Sequence, residues 1–151
     1  MNYSIRFATI DDTQTILDFI IALAKYEKLE HQVTATASQL QETLFGSAPQ
    51  AEAILAFEGE TPVGFALFFS NYSTFLGKAG IHLEDLFVLE EYRRRGYGKA
   101  LLEQIQTIAQ DRGARRLEWN VLDWNQSAID FYQSIGARPV SGWTTYRMVY
   151  S

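Results

Sequence analysis

Seven consecutive residues, Arg93-Arg94-Arg95-Gly96-Tyr97-Gly98-Lys99, combine three arginines, a lysine and two glycines. They follow an apolar run at 86–89 and precede an amphipathic helical pattern at 100–112. A strand, a basic glycine loop and a helix start, in that order, make a place to hold a phosphate. Backbone N–H groups at a helix N-terminus have no intrahelical partner, and the helix dipole adds roughly half a positive charge there. Gly96 and Gly98 remove side chains that would keep a phosphate from the backbone.

Three ligand loops compete for this segment. A Walker A loop requires Gly-x-x-x-x-Gly-Lys-Ser/Thr, but Lys99 is followed by Ala100 and the glycine spacing fails. A dinucleotide fingerprint requires Gly-x-Gly-x-x-Gly, but position 101 is Leu101 and no βαβ unit opens the chain. The third pattern, Arg/Gln-x-x-Gly-x-Gly/Ala, is met by Arg93, Gly96 and Gly98. Taken alone it is short, and a solvated basic turn with two loop glycines satisfies it equally well.

The elements that must position this loop follow from periodicity. Residues 3–8 alternate and read as a strand. Asp11 or Asp12 is placed to cap a helix running to about Leu29, with Ile16, Leu17, Ile20, Leu23 and Ala24 on one stripe. Thr36 followed by Gln39 predicts a capping box, and Gly46 a helix stop. Residues 51–58 and 62–70 form a hairpin across Glu58-Gly59-Glu60-Thr61, 71–80 read as a loop, and 81–89 as a buried strand. A helix carrying Leu101, Leu102, Ile105, Ile108 and Ala109 ends near Gly113. A strand at 116–122, a helix capped by Asn125 and stopped at Gly136, and a last strand at 143–150 complete the chain. The pattern predicts one α+β domain over 1–151 with a mixed sheet, and a parallel crossover within 81–122.

Composition narrows the function classes. The 151 residues suffice for one core, no apolar run reaches a membrane span, and no signal-peptide core opens the chain. The absence of cysteine removes disulfides, thiol nucleophiles and thiolate metal sites. His31 and His82 lack ligand-spaced partners, so no metal site is expected. A net charge of −5 argues against nucleic acid as partner and suits a cationic substrate. The expectation is a cytoplasmic protein.

Longer runs specify more than the loop does. They are Ala24-Lys25-Tyr26-Glu27, Glu30-His31-Gln32-Val33, Asn71-Tyr72-Ser73-Thr74, Leu83-Glu84-Asp85-Leu86-Phe87-Val88, Glu91-Tyr92-Arg93, and the run from Trp124 to Tyr132. On these, and on the order of elements, the chain resembles the GNAT superfamily of acetyl-CoA-dependent N-acetyltransferases. Within it, the resemblance is to the spermidine/spermine group and its diamine (thialysine-type) members.

The resemblance implies a sheet splayed at the cofactor site, with helices on both faces. Arg93, Arg94, Arg95, Gly96, Tyr97, Gly98 and Lys99 would hold the CoA pyrophosphate, while Leu86, Phe87 and Val88 pair their backbone with the pantetheine arm. A main-chain N–H near Phe87 or Val88 would face the thioester oxygen. Asn125, Ser127 and Ala128 would also bind the cofactor. Tyr132 is implied as general acid, because CoA leaves as a thiolate and needs a proton. Glu84 is implied as the base acting through water, since an alkyl amine is only about one part in a thousand neutral near pH 7.5. Asp85 would be structural or orient that water; Tyr26, Glu27, Ser73, Glu118, Trp119 and Asn120 would line the amine pocket.

Polyamine-specific relatives have Asp-Pro-Trp where this chain has Ser73-Thr74-Phe75, which removes one contact for a distal ammonium and favours smaller amines. The expected reaction is acetyl transfer to a small primary amine in a ternary complex, with a homodimer as the expected assembly. Alternatives are protein or peptide N-acetylation and an acyl-CoA-binding module without turnover.

Overall fold

Alternating and apolar runs become strands because each can bury one face and satisfy its backbone in a ladder. The computed structural model describes residues 2–151. Among them, β1 (Tyr3–Phe7), β2 (Glu52–Glu58), β3 (Thr61–Ser73), β4 (Lys78–Val88) and β5 (Leu117–Trp119) form one sheet in that order. β1 to β4 pair antiparallel, and β5 joins β4 in parallel. The mixed sheet and the crossover expected from the sequence are both present.

The hairpin between β3 and β4 is longer than its composition suggests. The segment read as a loop at 71–80 is mostly ladder: Asn71 pairs with Gly80, Tyr72 with Ala79 and Ser73 with Lys78. Ladder bonds use the backbone and tolerate the polar and small side chains that read as loop. The connection shrinks to 74–77, where Gly77 takes φ +61° and the Ser73 hydroxyl accepts the Leu76 N–H at 3.2 Å. β5 is correspondingly shorter than the strand expected at 116–122.

The sheet is covered on both faces. On one, α1 (Thr13–Tyr26) and α2 (Ala37–Phe45) supply Ile16, Phe19 and Leu44 to a cluster with Ala53, Leu55, Phe65, Leu67 and Phe87. Phe19, outside the expected stripe, stacks on Phe65 at 5.4 Å. α3 (Tyr97–Asp111) packs against β2, β3 and β4 and buries Leu101, Leu102, Ile105, Ile108 and Ala109 as expected. Its Arg112 cap lies over the Phe68 ring, which belongs to the opposite face from Leu67.

Helix ends follow local chemistry. The Thr36–Gln39 box closes α2 with bonds of 2.9 and 3.2 Å. Asp12 precedes α1 without capping it by side chain: its carboxylate accepts from Arg6 at 2.7 and 3.0 Å and from the Thr9 N–H at 2.7 Å. α3 begins at Tyr97, three residues earlier than expected, because Gly96 at φ +90° turns the chain directly into the helix.

Residues 121–151 form a second compact unit. It contains α4 (Gln126–Ser134), whose Asn125 cap accepts the Ala128 N–H at 3.4 Å, with Gly136 at φ +93° after its end. The strand expected at 143–150 is not formed. Trp143, Tyr146, Met148, Val149 and Tyr150 are exposed, and strand propensity describes fit to a half-buried pleated surface that these residues do not have. Among the described residues, no helix is long and apolar enough to cross a membrane.

Candidate active site

Two adjacent acids in an apolar strand would ordinarily point to opposite faces. A bulge prevents this in β4. Leu83 pairs with Phe68 and Asp85 with Leu67, so Glu84 is an extra residue without an opposite number. The register shift changes the phase of the strand. Asp85 shares the face of Leu67 and Phe87, toward α1, and Glu84 joins His82 on that side, with a carboxylate–imidazole distance of 3.7 Å.

Glu27, the C-cap of α1, completes a three-carboxylate group. Burial raises the Glu27 pKa, and the Glu84 charge adds to the rise. Asp85 is pushed up to about 7, first by burial, then by the charges of Glu84 and Glu27. Glu84 itself remains solvated, with 57% of its side chain exposed. An acid at a helix C-terminus also works against the dipole, so stability alone does not account for Glu27 there. Such a group attracts an ammonium and can accept its proton near neutral pH.

The β4–β5 ladder ends beside these acids. The pairing stops at Leu83 opposite Trp119, while β4 continues to Val88. The backbone of residues 84–88 therefore lacks a β5 partner. Gly64 on β3 permits this stretch its close approach: a Cβ there would lie 2.7 Å from the Phe87 carbonyl oxygen.

The basic loop follows. Arg94 takes φ +65° and Gly96 φ +90°, curling the chain into α3. Gly96 offers no side-chain cap, and the first bond back to its carbonyl comes from the Ala100 N–H at 3.0 Å. The first-turn N–H groups are thus directed out of the helix end. A cavity of about 270 Å³ beside it is lined by Tyr3, Arg95, Gly96, Tyr97, Lys99, Ala100 and Glu103.

The arginine side chains divide their work. Arg95 pairs with Glu58 at 3.1 Å, and Arg93 donates to the Val88 carbonyl at 2.9 Å. The Tyr97 ring is buried, and its hydroxyl donates to Glu58 at 2.6 Å, which with burial and the Glu58 charge holds its pKa up at about 12. Tyr97 therefore offers a ligand only its backbone. Lys99 reaches Glu103 at 4.0 Å on the exposed helix face.

The remaining expected site residues are on β3, on and just after β5, and in the second unit. Ser73 is at the hairpin turn, six positions along β3 from Leu67 and so roughly 20 Å from Asp85. Glu118 pairs with Arg116 at 3.2 Å and accepts from Asn71 at 3.3 Å; Trp119 ends β5, followed by Asn120. Asn125, Ser127, Ala128 and Tyr132 share α4 and its cap in the second unit, where the Phe131 and Tyr132 rings lie 5.6 Å apart. Sequence reasoning missed the bulge and the role of Gly64. The signal for the bulge was present in the break of apolar alternation at Glu84-Asp85.

The acetyltransferase (GNAT) family matches residues 18–137. The chain belongs to this family. This GNAT chain is 36% identical to a thialysine N-epsilon-acetyltransferase of Caenorhabditis elegans, over 97% of its length and 92% of the relative. It is 34% identical to an L-ornithine N5-acetyltransferase of Arabidopsis thaliana, over 95% and 83% of the two. Among solved structures, an integron cassette protein from V. cholerae superposes with TM-score 0.83 at 25% identity, covering 99% and 94% of the two chains. A ribosomal-protein-alanine N-acetyltransferase from Brucella melitensis, at 19% identity and TM-score 0.78 over 99% and 100%, shares the fold.

Proposed function

We propose that this GNAT enzyme transfers an acetyl group from acetyl-CoA to a primary amine of a small diamine of the thialysine or ornithine type. The observation that carries the substrate class is the group of Glu27, Glu84 and Asp85 gathered by the bulge where the β4–β5 ladder ends. Relatives named for thialysine and ornithine acetylation support it.

Gly98 supports the donor. Its Cβ position has no neighbour nearer than a Val88 methyl at 3.9 Å, so packing gives no reason for glycine inside a helix. A ligand lying against the backbone gives a reason for a small residue there, glycine or alanine as the loop pattern allows. In this reading the first-turn N–H groups of α3 and the Arg94 charge hold the pyrophosphate. The backbone of Leu86, Phe87 and Val88, apart from the Val88 carbonyl that already accepts from Arg93, pairs with the pantetheine arm and directs an N–H at the thioester oxygen.

Acetyl-CoA supplies the activated acetyl group. The amine gives a proton through water to Glu84, with Asp85 and Glu27 stabilising the cation that arrives. A C–N bond forms as the C–S bond breaks, and Tyr132 is assigned the proton for the departing thiolate. The family match across 18–137 runs through residues of both compact units and supports a single acetyltransferase domain over 1–151. The exposed aromatic residues at 143–150 support a homodimer, checked by light scattering, and a cytoplasmic location belongs to the same reading.

The test is thiol release from acetyl-CoA with thialysine, ornithine, short diamines, spermidine and short peptides. Turnover with the small diamines is expected. Turnover with peptides alone would overturn the substrate class; tight acetyl-CoA binding without any acceptor would overturn the enzyme reading.

A further inference from the structure

Arg93 joins three parts of the first unit with one side chain. Its Nε–H donates to the Val88 carbonyl, at the end of β4, at 2.9 Å. Its guanidinium carbon lies 4.6 Å from the centroid of the Tyr26 ring and 5.2 Å from that of Phe87. The two rings are themselves tilted neighbours at 6.4 Å. Tyr26 is the last residue of α1 and precedes Glu27; Phe87 lies two residues beyond Asp85 on the same face.

Only arginine suits this position. A planar guanidinium lies over a ring and still presents an N–H in its own plane to a carbonyl. A lysine ammonium is a point charge and loses one contact when it makes the other. The backbone of Arg93 starts the basic loop, so whatever fixes the loop also restricts the guanidinium.

We propose that Arg93 is a positioning residue that couples the pyrophosphate loop to the amine pocket, by holding the Tyr26 ring and with it the Glu27 end of α1. The proposal rests on the acetyl-transfer reading for the identity of the two ligands. A bound pyrophosphate orders the loop, the ordered loop fixes the guanidinium, and the guanidinium holds Tyr26. Coupling of this kind is reciprocal, so a change at Tyr26 must be felt by CoA, and felt through Arg93.

The experiment is a double-mutant cycle on the full chain, with CoA itself as probe and calorimetry as readout. Tyr26→Leu is expected to weaken CoA at least about threefold when Arg93 is present, and less than about 1.5-fold in the Arg93→Lys background. Tyr26→Phe keeps the ring and is expected to retain the native affinity. Thermal unfolding checks each variant, and Tyr26→Met repeats the cycle should Tyr26→Leu not fold. An unchanged CoA affinity in Tyr26→Leu, or an equal loss in both backgrounds, would overturn the coupling. With an active acceptor, Arg93→Lys is expected to raise the amine KM about fivefold while kcat changes less than twofold. The CoA cycle needs no acceptor, so failure of the amine panel and failure of the coupling are separate results.

Discussion

Asp85 lies opposite Leu67 on β3, whereas Leu83, two residues earlier, lies opposite the adjacent Phe68. That one-residue slip turns a strand with alternating faces into a platform for consecutive acids. It explains how Glu84 and Asp85 share one side of the sheet with Glu27, and why the Glu84 charge adds to burial in making Glu27 and Asp85 harder to ionise. The apolar residues around the bulge keep their burial, so the acids are gathered without opening the core.

The pH dependence follows from Asp85. Its pKa is raised to about 7 by burial, Glu84 and Glu27, from a model-compound value of 3.8. An acid raised in this way favours the folded state below its unfolded pKa, and that contribution is lost as pH rises through the folded value. Asp85→Asn removes the loss. Its stability advantage over the native chain is expected to grow by about 2–3 kcal/mol between pH 5 and pH 8, read by urea denaturation. The same variant is expected to lose at least about tenfold in kcat/KM for the amine, because the group loses an anion. A stability difference that stays flat with pH would remove Asp85 as the titrating group.

Gly98→Ala separates folding from ligand binding. A Cβ at this position meets only Val88 at 3.9 Å, and alanine is the better helix residue. The variant is expected to gain a few tenths to about 1 kcal/mol in stability. Its CoA affinity is expected to fall less than about threefold, because the Arg/Gln-x-x-Gly-x-Gly/Ala pattern met by Arg93, Gly96 and Gly98 admits alanine at this position. Calorimetry with CoA checks the second effect, and a loss of about tenfold or more would show that the ligand lies directly against the Gly98 Cα and leaves no room for a methyl group.

Gly64→Ala has the opposite balance. Its Cβ would come within 2.7 Å of the Phe87 carbonyl oxygen and 3.3 Å of the Val88 Cα, both backbone atoms that cannot rotate aside. The expected cost is about 1–3 kcal/mol, seen as a lower urea midpoint with an unchanged slope. Because the displaced stretch is the part of β4 beyond its ladder with β5, CoA affinity is expected to fall as well. An unchanged midpoint would show that β4 shifts freely, contrary to its pairing with β3 from Lys78 to Val88.

Local chemistry made much of the fold legible. The Thr36–Gln39 box, the hairpin at Gly59 and the α3 stripe depend on neighbours within a few residues, and each formed as read. The reading failed where the deciding partner was distant in sequence. Asn71 and Tyr72 look like loop residues until Gly80 and Ala79 pair with them. Residues 143–150 look like a strand but carry no ladder. The family resemblance singled out Glu84 and Asp85, but neither it nor periodicity gave their face, which is set by a register with β3. Composition gave Arg93 a charge without revealing that Tyr26 lies beneath it.

Tyr132→Phe tests the proton donor with little disturbance to α4. The ring is retained, so its 5.6 Å contact with Phe131 and the Asn125 cap are expected to persist. A departing CoA thiolate has a pKa near that of a free thiol, about 8.5, and a phenol near 10 can protonate it within the transition state. Loss of such a general acid is worth about 10²–10⁴-fold in rate. The expected result is a drop in kcat of that order with CoA affinity within twofold of the native chain, from steady-state thiol release and calorimetry together. A parallel loss of CoA affinity would instead make Tyr132 a binding residue, because an interaction present only in the transition state leaves the ground-state complex unchanged. A native kcat would remove it from the mechanism and leave solvent as the source of the proton.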